Sequence, residues 1–156
     1  MTRDTNLFAG VGMRLENITD GDLAIISNKA AIEVNQAWAG FAGDMLNYSA
    51  ASVLPSNITR SNYSRLPTNS VWWKPLPNSS AAAVLYASEG SAMIGFELAE
   101  LQYNGKSALP TGASGCASVK SIWEGNTERG PLLHGGRFSA RVAAGDVVFV
   151  VLSNCA

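Results

Sequence analysis

Hydrophobic and polar positions change their period once along the chain. Over "ITDGDLAIISNKAAIEVNQAWAG", Leu23, Ile26, Ala30 and Val34 recur at helical spacing, which predicts a helix with one apolar face over residues 19 to 36. Thr19 or Asp20 can cap its start, and Asp22 adds favourable charge to the first turn. Asn28-Lys29 can divide it into two short helices, and Gly40 and Gly43 end the pattern. Ahead of it, "FAGVGMRL" reads as a strand or a strand-to-loop junction. Residues 44 to 70 hold two prolines, several Asn and Ser, and little periodicity, as in a long exposed linker.

From Val71 the period is that of strands. "SAMIGFEL" puts Ala92, Ile94, Phe96 and Leu98 on one face, and "ASVKSIWE" groups Val119, Ser121 and Trp123. In "RFSARV", Phe138, Ala140 and Val142 face inward while Arg137, Ser139 and Arg141 face outward. "AAAVLYA" and "VVFVVL" are apolar throughout, as strands covered on both faces are. "NGK", "PTGASG", "EGN", "HGG" and "AAGD" are turn material between them. Short strands with Gly-rich turns predict a mainly β domain, an antiparallel Greek-key sandwich, preceded by a short helical segment. In "VWWKPL" the two tryptophans point to opposite faces, so one enters the core and the other is the more exposed. An exposed Trp72 or Trp73 could stack on a sugar ring, or could pack across a domain junction.

Composition narrows the function classes. The chain has 156 residues, 47% hydrophobic and only 15% charged, with a net charge of −1. No basic run suggests nucleic acid or an anionic membrane as a partner, and no apolar stretch reaches the length of a bilayer span. Five N-x-Ser/Thr triplets occur, at Asn17, Asn47, Asn57, Asn62 and Asn78, with three of them between residues 47 and 64. That clustering suggests glycosylation in the secretory pathway, and hence an extracellular, lysosomal or vacuolar location. In such a compartment the two cysteines, Cys116 and Cys155, favour a disulfide; two buried thiols are the alternative. The N-terminal stretch has no apolar core of signal-peptide length, which suggests that Met1 does not begin the natural precursor.

Chemistry-bearing residues are sparse. Glu97 and Glu100 would point to opposite faces of a strand, Asp20 and Asp22 suit a helix start, and Glu124 and Glu128 flank a turn. Each reads as a solvated surface carboxylate. His134, the only histidine, sits in "LLHGGRF" with no nucleophile-elbow motif beside it. No Cys or His cluster has metal-ligand spacing, and no phosphate loop or dinucleotide fingerprint occurs, so neither a metal nor a cofactor is expected.

Several stretches, in order, resemble the end of the alpha-galactosidase family of glycoside hydrolases. Asn28, Lys29, Ile32, Asn35, Gln36 and Gly40 match its "N-K-x-x-I-x-x-N-Q-D-P-x-G" turn after a late barrel helix. Val71, Trp72, Lys74, Pro75, Leu76, Ser80, Ala83 and Leu85 match "V-W-x-K-P-L-x-x-G-S-x-A-V-x-L", which opens the C-terminal β-domain. Trp123 matches a "D-L-W" strand end, and "FSARVAAGDVVFVVLS" resembles the closing strands. The departures are Ala37 and Trp38 for the aspartate and proline of "NQDPLG", Met13-Arg14-Leu15 for "N-D-L", and Ser121 for the aspartate of "D-L-W".

The resemblance implies three parts: residues 1–45 as the end of a (β/α)8 barrel, 46–70 as a glycosylation-prone linker, and 71–156 as the C-terminal antiparallel β-domain. It implies a parent that hydrolyses terminal alpha-galactosides with retention, using two aspartates on earlier barrel strands. A full barrel needs about 250 residues, so neither aspartate carries over to any residue of this chain. The chain is therefore expected to be inactive alone. Its 20–36 helix is expected to meet the missing N-terminal barrel or another chain. A non-catalytic secreted sandwich for carbohydrate contact, with an alpha-galactoside as one such ligand, or for protein assembly, is the alternative.

Overall fold

A computed structural model describes residues 19–46, 68–88, 90–103, 106–107, 114–123 and 128–156. The "FAGVGMRL" stretch, most of the expected linker, Glu124, and the sequons at Asn17, Asn47, Asn57 and Asn62 lie outside the described residues.

Two short helices open the described chain, α1 (Asp20–Ile26) and α2 (Lys29–Gln36). The break falls at the expected place. Asn28 adopts an extended backbone and its side chain accepts a hydrogen bond from the Ala31 N–H at 3.0 Å, so it caps α2 instead of continuing α1. The expected continuous apolar stripe is thereby divided. Val34 is buried and Ala30 half-buried, while Leu23 and Ile26 are exposed.

The rest is an antiparallel sandwich. β1 (Asp44–Met45), β2 (Asn69–Leu76), β3 (Ser80–Ala87), β7 (Gly115–Ser121), β8 (Glu128–Arg129), β9 (Leu132–Leu133) and β11 (Val147–Cys155) form one sheet, ordered β1-β2-β3-β11-β7-β8 with β9 also paired to β7. β4 (Ala92–Glu97) and β10 (Arg137–Val142) form the second sheet. β5 (Gln102–Tyr103) and β6 (Lys106–Ser107) pair separately. The chain crosses between these two sheets four times, from β3 to β4, back to β7, from β9 to β10 and back to β11, which inserts the last strand between β3 and β7 as in a Greek key. β2 begins two residues ahead of the expected Val71, and Asp44–Met45 adds a short edge to it by pairing with Trp73 and Trp72.

The inner core is built from alternate residues of both sheets. Val71, Trp73, Leu85, Val150 and Leu152 from the large sheet meet Ile94, Phe96, Phe138 and Val142 from the small one. β10 alternates as its sequence predicts, with Phe138, Ala140 and Val142 buried and the intervening residues exposed. Gly95 is required there. A Cβ at this position would stand 2.2 Å from the Phe138 carbonyl oxygen across the ladder, closer than any side chain tolerates.

β3 and β11, central in the large sheet, are covered on both faces, which explains their unbroken apolar runs. Their outer face carries Ala82 and Phe149, which with Ile122 pack against Ala31 and Val34 of α2. Small side chains at Ala31 and Ala82 let helix and sheet approach closely. Trp123 lies past the end of β7 and joins this outer cluster, its ring edge-on to Phe149 with centroids 5.7 Å apart. It does not share the inner face with Val119, because the strand ends before it.

Candidate interface on the helix-bearing face

Lys74 is the side chain that fixes α2 to the sheet. On β2 the even-numbered residues Trp72, Lys74 and Leu76 share the outer face, opposite the core-facing Val71 and Trp73. The Lys74 ammonium donates to the carbonyl oxygens of Val34 and Asn35, each at 2.9 Å. These carbonyls belong to the last turn of α2, where the intrahelical ladder has run out of donors and the helix dipole favours a cation. The lysine is 5% exposed, and its burial pushes its pKa below the ordinary value. Pro75 follows without harm, since β1 reaches only as far as Trp73 and leaves that edge of β2 open.

Sequence reasoning missed this bond, although a signal existed. A lone cation within an otherwise apolar strand must find oxygen partners once it is buried. The contact also joins two stretches that the sequence reading treated separately, the "NQ" that ends α2 and the "WWKPL" of β2.

Around this anchor the molecule exposes large apolar side chains unevenly. Leu23, Ile25 and Ile26 on α1, Ile32 on α2, Trp38 just beyond it, and Trp72 and Tyr86 on the outer face of β2 and β3 are all exposed. On the other elements described, only Met93 and Leu133 are. Trp72 and Tyr86 are diagonal neighbours, because Trp72 faces Val84 and Ser70 faces Tyr86 in the register. The Trp72 indole N–H donates to Ser70 Oγ at 3.2 Å, which holds the ring against the strand.

The tryptophan pair thus divides as expected, Trp72 at 39% exposure and Trp73 at 2%. Trp73 packs edge-on against Phe41 in the inner core and has no free face for a sugar, which removes it from the stacking candidates. Cys116 and Cys155 are directly opposite across β7 and β11 and form a disulfide, with Cα atoms 3.8 Å apart. Asn78 is exposed at the tip of the β2–β3 hairpin.

The carboxylates take structural places. Glu97 and Glu100 do not sit on opposite strand faces, because β4 ends at Glu97 and the two form a reciprocal capping box around a 3-10 turn. In it the Glu97 N–H donates to Glu100 Oε2 at 2.7 Å. Glu33 lies 4.0 Å from Lys29 one helical turn away, and both are exposed. His134 is exposed in a turn, where its backbone N–H reaches the Ser114 carbonyl. Among the described residues no group of three or more His, Cys, Asp and Glu side chains comes together.

Comparison with solved structures gives consistent matches. Alpha-galactosidase I from Mortierella vinacea is 18% identical with a TM-score of 0.61, over 90% of this chain and 30% of its own. The alpha-galactosidase from Saccharomyces cerevisiae, solved with raffinose, is 14% identical with a TM-score of 0.62, over 90% of this chain and 39% of its own. The fold is that of the alpha-galactosidases. A GH27 β-L-arabinopyranosidase from Geobacillus stearothermophilus shares it too, at 13% identity and a TM-score of 0.61, over 90% of this chain and 25% of its own. The chain therefore spans only about a quarter to two fifths of the length of these enzymes. No protein-family model and no curated protein matches it.

Proposed function

We propose that this chain is the C-terminal part of an alpha-galactosidase-like glycoside hydrolase and that it supports a catalytic barrel without itself carrying the catalytic aspartates. The observation behind this reading is the distribution of exposed apolar side chains. Seven of the nine large ones belong to α1, α2, Trp38 and the outer face of β2 and β3: Leu23, Ile25, Ile26, Ile32, Trp38, Trp72 and Tyr86. A surface of this kind in water drives association. The enzymes that share the fold are much longer than this chain, so a barrel is the natural occupant. The parent enzyme would hydrolyse terminal alpha-galactosides with retention, and the clustered sequons support a secretory-pathway location for it. No helix among the described residues is long and apolar enough to cross a membrane.

The reading frame upstream of Met1 in the native transcript tests this. Barrel strands bearing two aspartates are the expected finding, and a signal peptide directly upstream would overturn it. The 156-residue chain alone is expected to leave a chromogenic alpha-galactoside intact. Turnover that survives repurification and is lost on mutating one of its carboxylates would equally overturn it.

A second reading rests on Trp72 and Tyr86. Two neighbouring exposed aromatics on a flat strand face can stack on a sugar ring, which suits a non-catalytic carbohydrate-binding module. Quenching of Trp72 fluorescence by an alpha-galactoside, abolished in Trp72→Ala, is what that reading requires.

A further inference from the structure

We propose that Asn78 carries an N-linked glycan whose first sugars lie in the groove between α2 and the β2–β3 hairpin. This goes beyond the barrel-supporting reading. It rests on the secretory character of the sequons and on the geometry around one of them.

Asn78 and Ser79 turn the hairpin with φ of 58° and 51°, a left-handed backbone that asparagine tolerates better than most residues. The Asn78 side chain is exposed and has no hydrogen-bond partner among the described residues. Ser80, the hydroxyl residue of the sequon, donates to the Asn78 carbonyl at 3.1 Å, which keeps the two ends of the triplet together. Beside this turn lies an open groove of about 380 Å³, and Asn78 is one of its lining residues. Leu76, Ile122 and Val151 line it with apolar surface, and Glu33 and Lys120 add charge. A pyranose has the matching character, with C–H groups on its faces and hydroxyls around its edge. The groove volume falls within the range of small-ligand sites. None of the exposed apolar residues Ile32, Trp38, Trp72 and Tyr86 lines the groove, so a glycan seated there leaves those four side chains uncovered.

The attachment is a group transfer from a lipid-diphosphate-linked oligosaccharide, catalysed by the host transferase. The Asn78 amide nitrogen forms a bond to the anomeric carbon. The bond from that carbon to the diphosphate oxygen breaks, its electron pair leaves with the diphosphate lipid, and the amide releases one proton.

The test is secretion of the whole chain from a eukaryotic host behind a removable leader. Enzymatic deglycosylation in heavy-oxygen water then marks each occupied asparagine by mass. A marked Asn78 is expected, with loss of one glycan mass in both Asn78→Gln and Ser80→Ala. A bare Asn78 overturns the site, whether the other sequons are filled or empty. The seat is read by trimming the glycan to one N-acetylglucosamine and comparing methyl NMR spectra with those of Ser80→Ala. Shifts at Leu76, Ile122 and Val151, with cross-peaks to the N-acetyl methyl, are expected. A glycan that leaves these methyls unmoved overturns the groove assignment. Neither result depends on what lies upstream of Met1, so this inference and the barrel-supporting reading can fail separately.

Discussion

Replacing Lys74 with methionine tests how α2 is held. The substitution keeps an unbranched stem reaching as far as Cε and deletes the ammonium that donates to Val34 O and Asn35 O at 2.9 Å. A hydrogen bond from a charged donor is worth about 1.5–3 kcal/mol. Two such bonds are lost, and the Val34 carbonyl is left buried without that donor. Against this stands relief from burying a cation, the same effect that lowers the pKa of Lys74. The net expectation is a loss of about 2–3 kcal/mol, concentrated at the helix–sheet contact and not spread through the inner core. At about 1.36 kcal/mol per decade, that is roughly a 30- to 150-fold faster amide hydrogen exchange in α2, residues Lys29–Gln36. The inner-core strands β4 and β10 should keep their protection. If Lys74→Met stays within about 0.5 kcal/mol of the parent and α2 exchanges no faster, the latch is ornamental and the reasoning fails. The pH dependence follows from the direction of the shift. With a folded pKa below the unfolded value, the unfolded chain binds more protons in the window between the two. The burial cost is fully present below that window and is relieved as pH rises through it. The margin of the parent over Lys74→Met should therefore widen across alkaline pH up to about 10.4, the ordinary lysine value.

Three further outcomes are expected. Reducing the Cys116–Cys155 bond, or replacing both with alanine, opens a loop of sequence separation 39 and should cost up to about 4 kcal/mol, seen as a lower urea midpoint; an unchanged midpoint contradicts it. Gly95→Ala forces a Cβ onto the Phe138 carbonyl and should cost about 1–3 kcal/mol in thermal melts, with β4 and β10 the first strands to lose protection. Ile25→Lys with Ile32→Lys, at side chains 56% and 38% exposed, should change the stability of the chain by less than about 0.5 kcal/mol while reducing self-association in sedimentation; a large loss of stability would show that these residues already have a buried home.

The strands were legible wherever one face is wet. β10 and the Trp72–Trp73 pair alternate because one neighbour of each pair meets water, and a period of two is visible only under that asymmetry. The unbroken runs of β3 and β11 were readable as doubly covered, but not what covers them, since periodicity carries no information about the partner. The helix break was readable at Asn28-Lys29, but not that the Asn28 side chain caps α2. A capping box also went unread at Glu97 and Glu100, where spacing of three residues signals such a box as well as strand carboxylates. Trp123 was misplaced because its face depends on where β7 ends, which a single residue decides. The need of a buried Lys74 for oxygen partners was legible, but the partners lie 39 to 40 positions away in sequence, so no local pattern could name them. The apolar stripe of α1 and α2 was visible as hydrophobic, but its division into a covered half and an exposed half depends on how far the sheet extends beneath it.

The position of β11 sets a schedule for synthesis. It lies between β3 and β7 in the large sheet, hydrogen-bonded to both, although it is the last of these strands to be made. Until it emerges, the β2–β3 hairpin and β7 each present an open edge and an apolar face. The sandwich therefore cannot close strand by strand as the chain grows. Its main sheet is completed in one late insertion, which places Phe149 under α2, Val150 and Leu152 in the inner core, and Cys155 against Cys116. Contacts this distant in sequence form slowly. A nascent chain halted before β11 is an aggregation-prone intermediate and not a smaller domain.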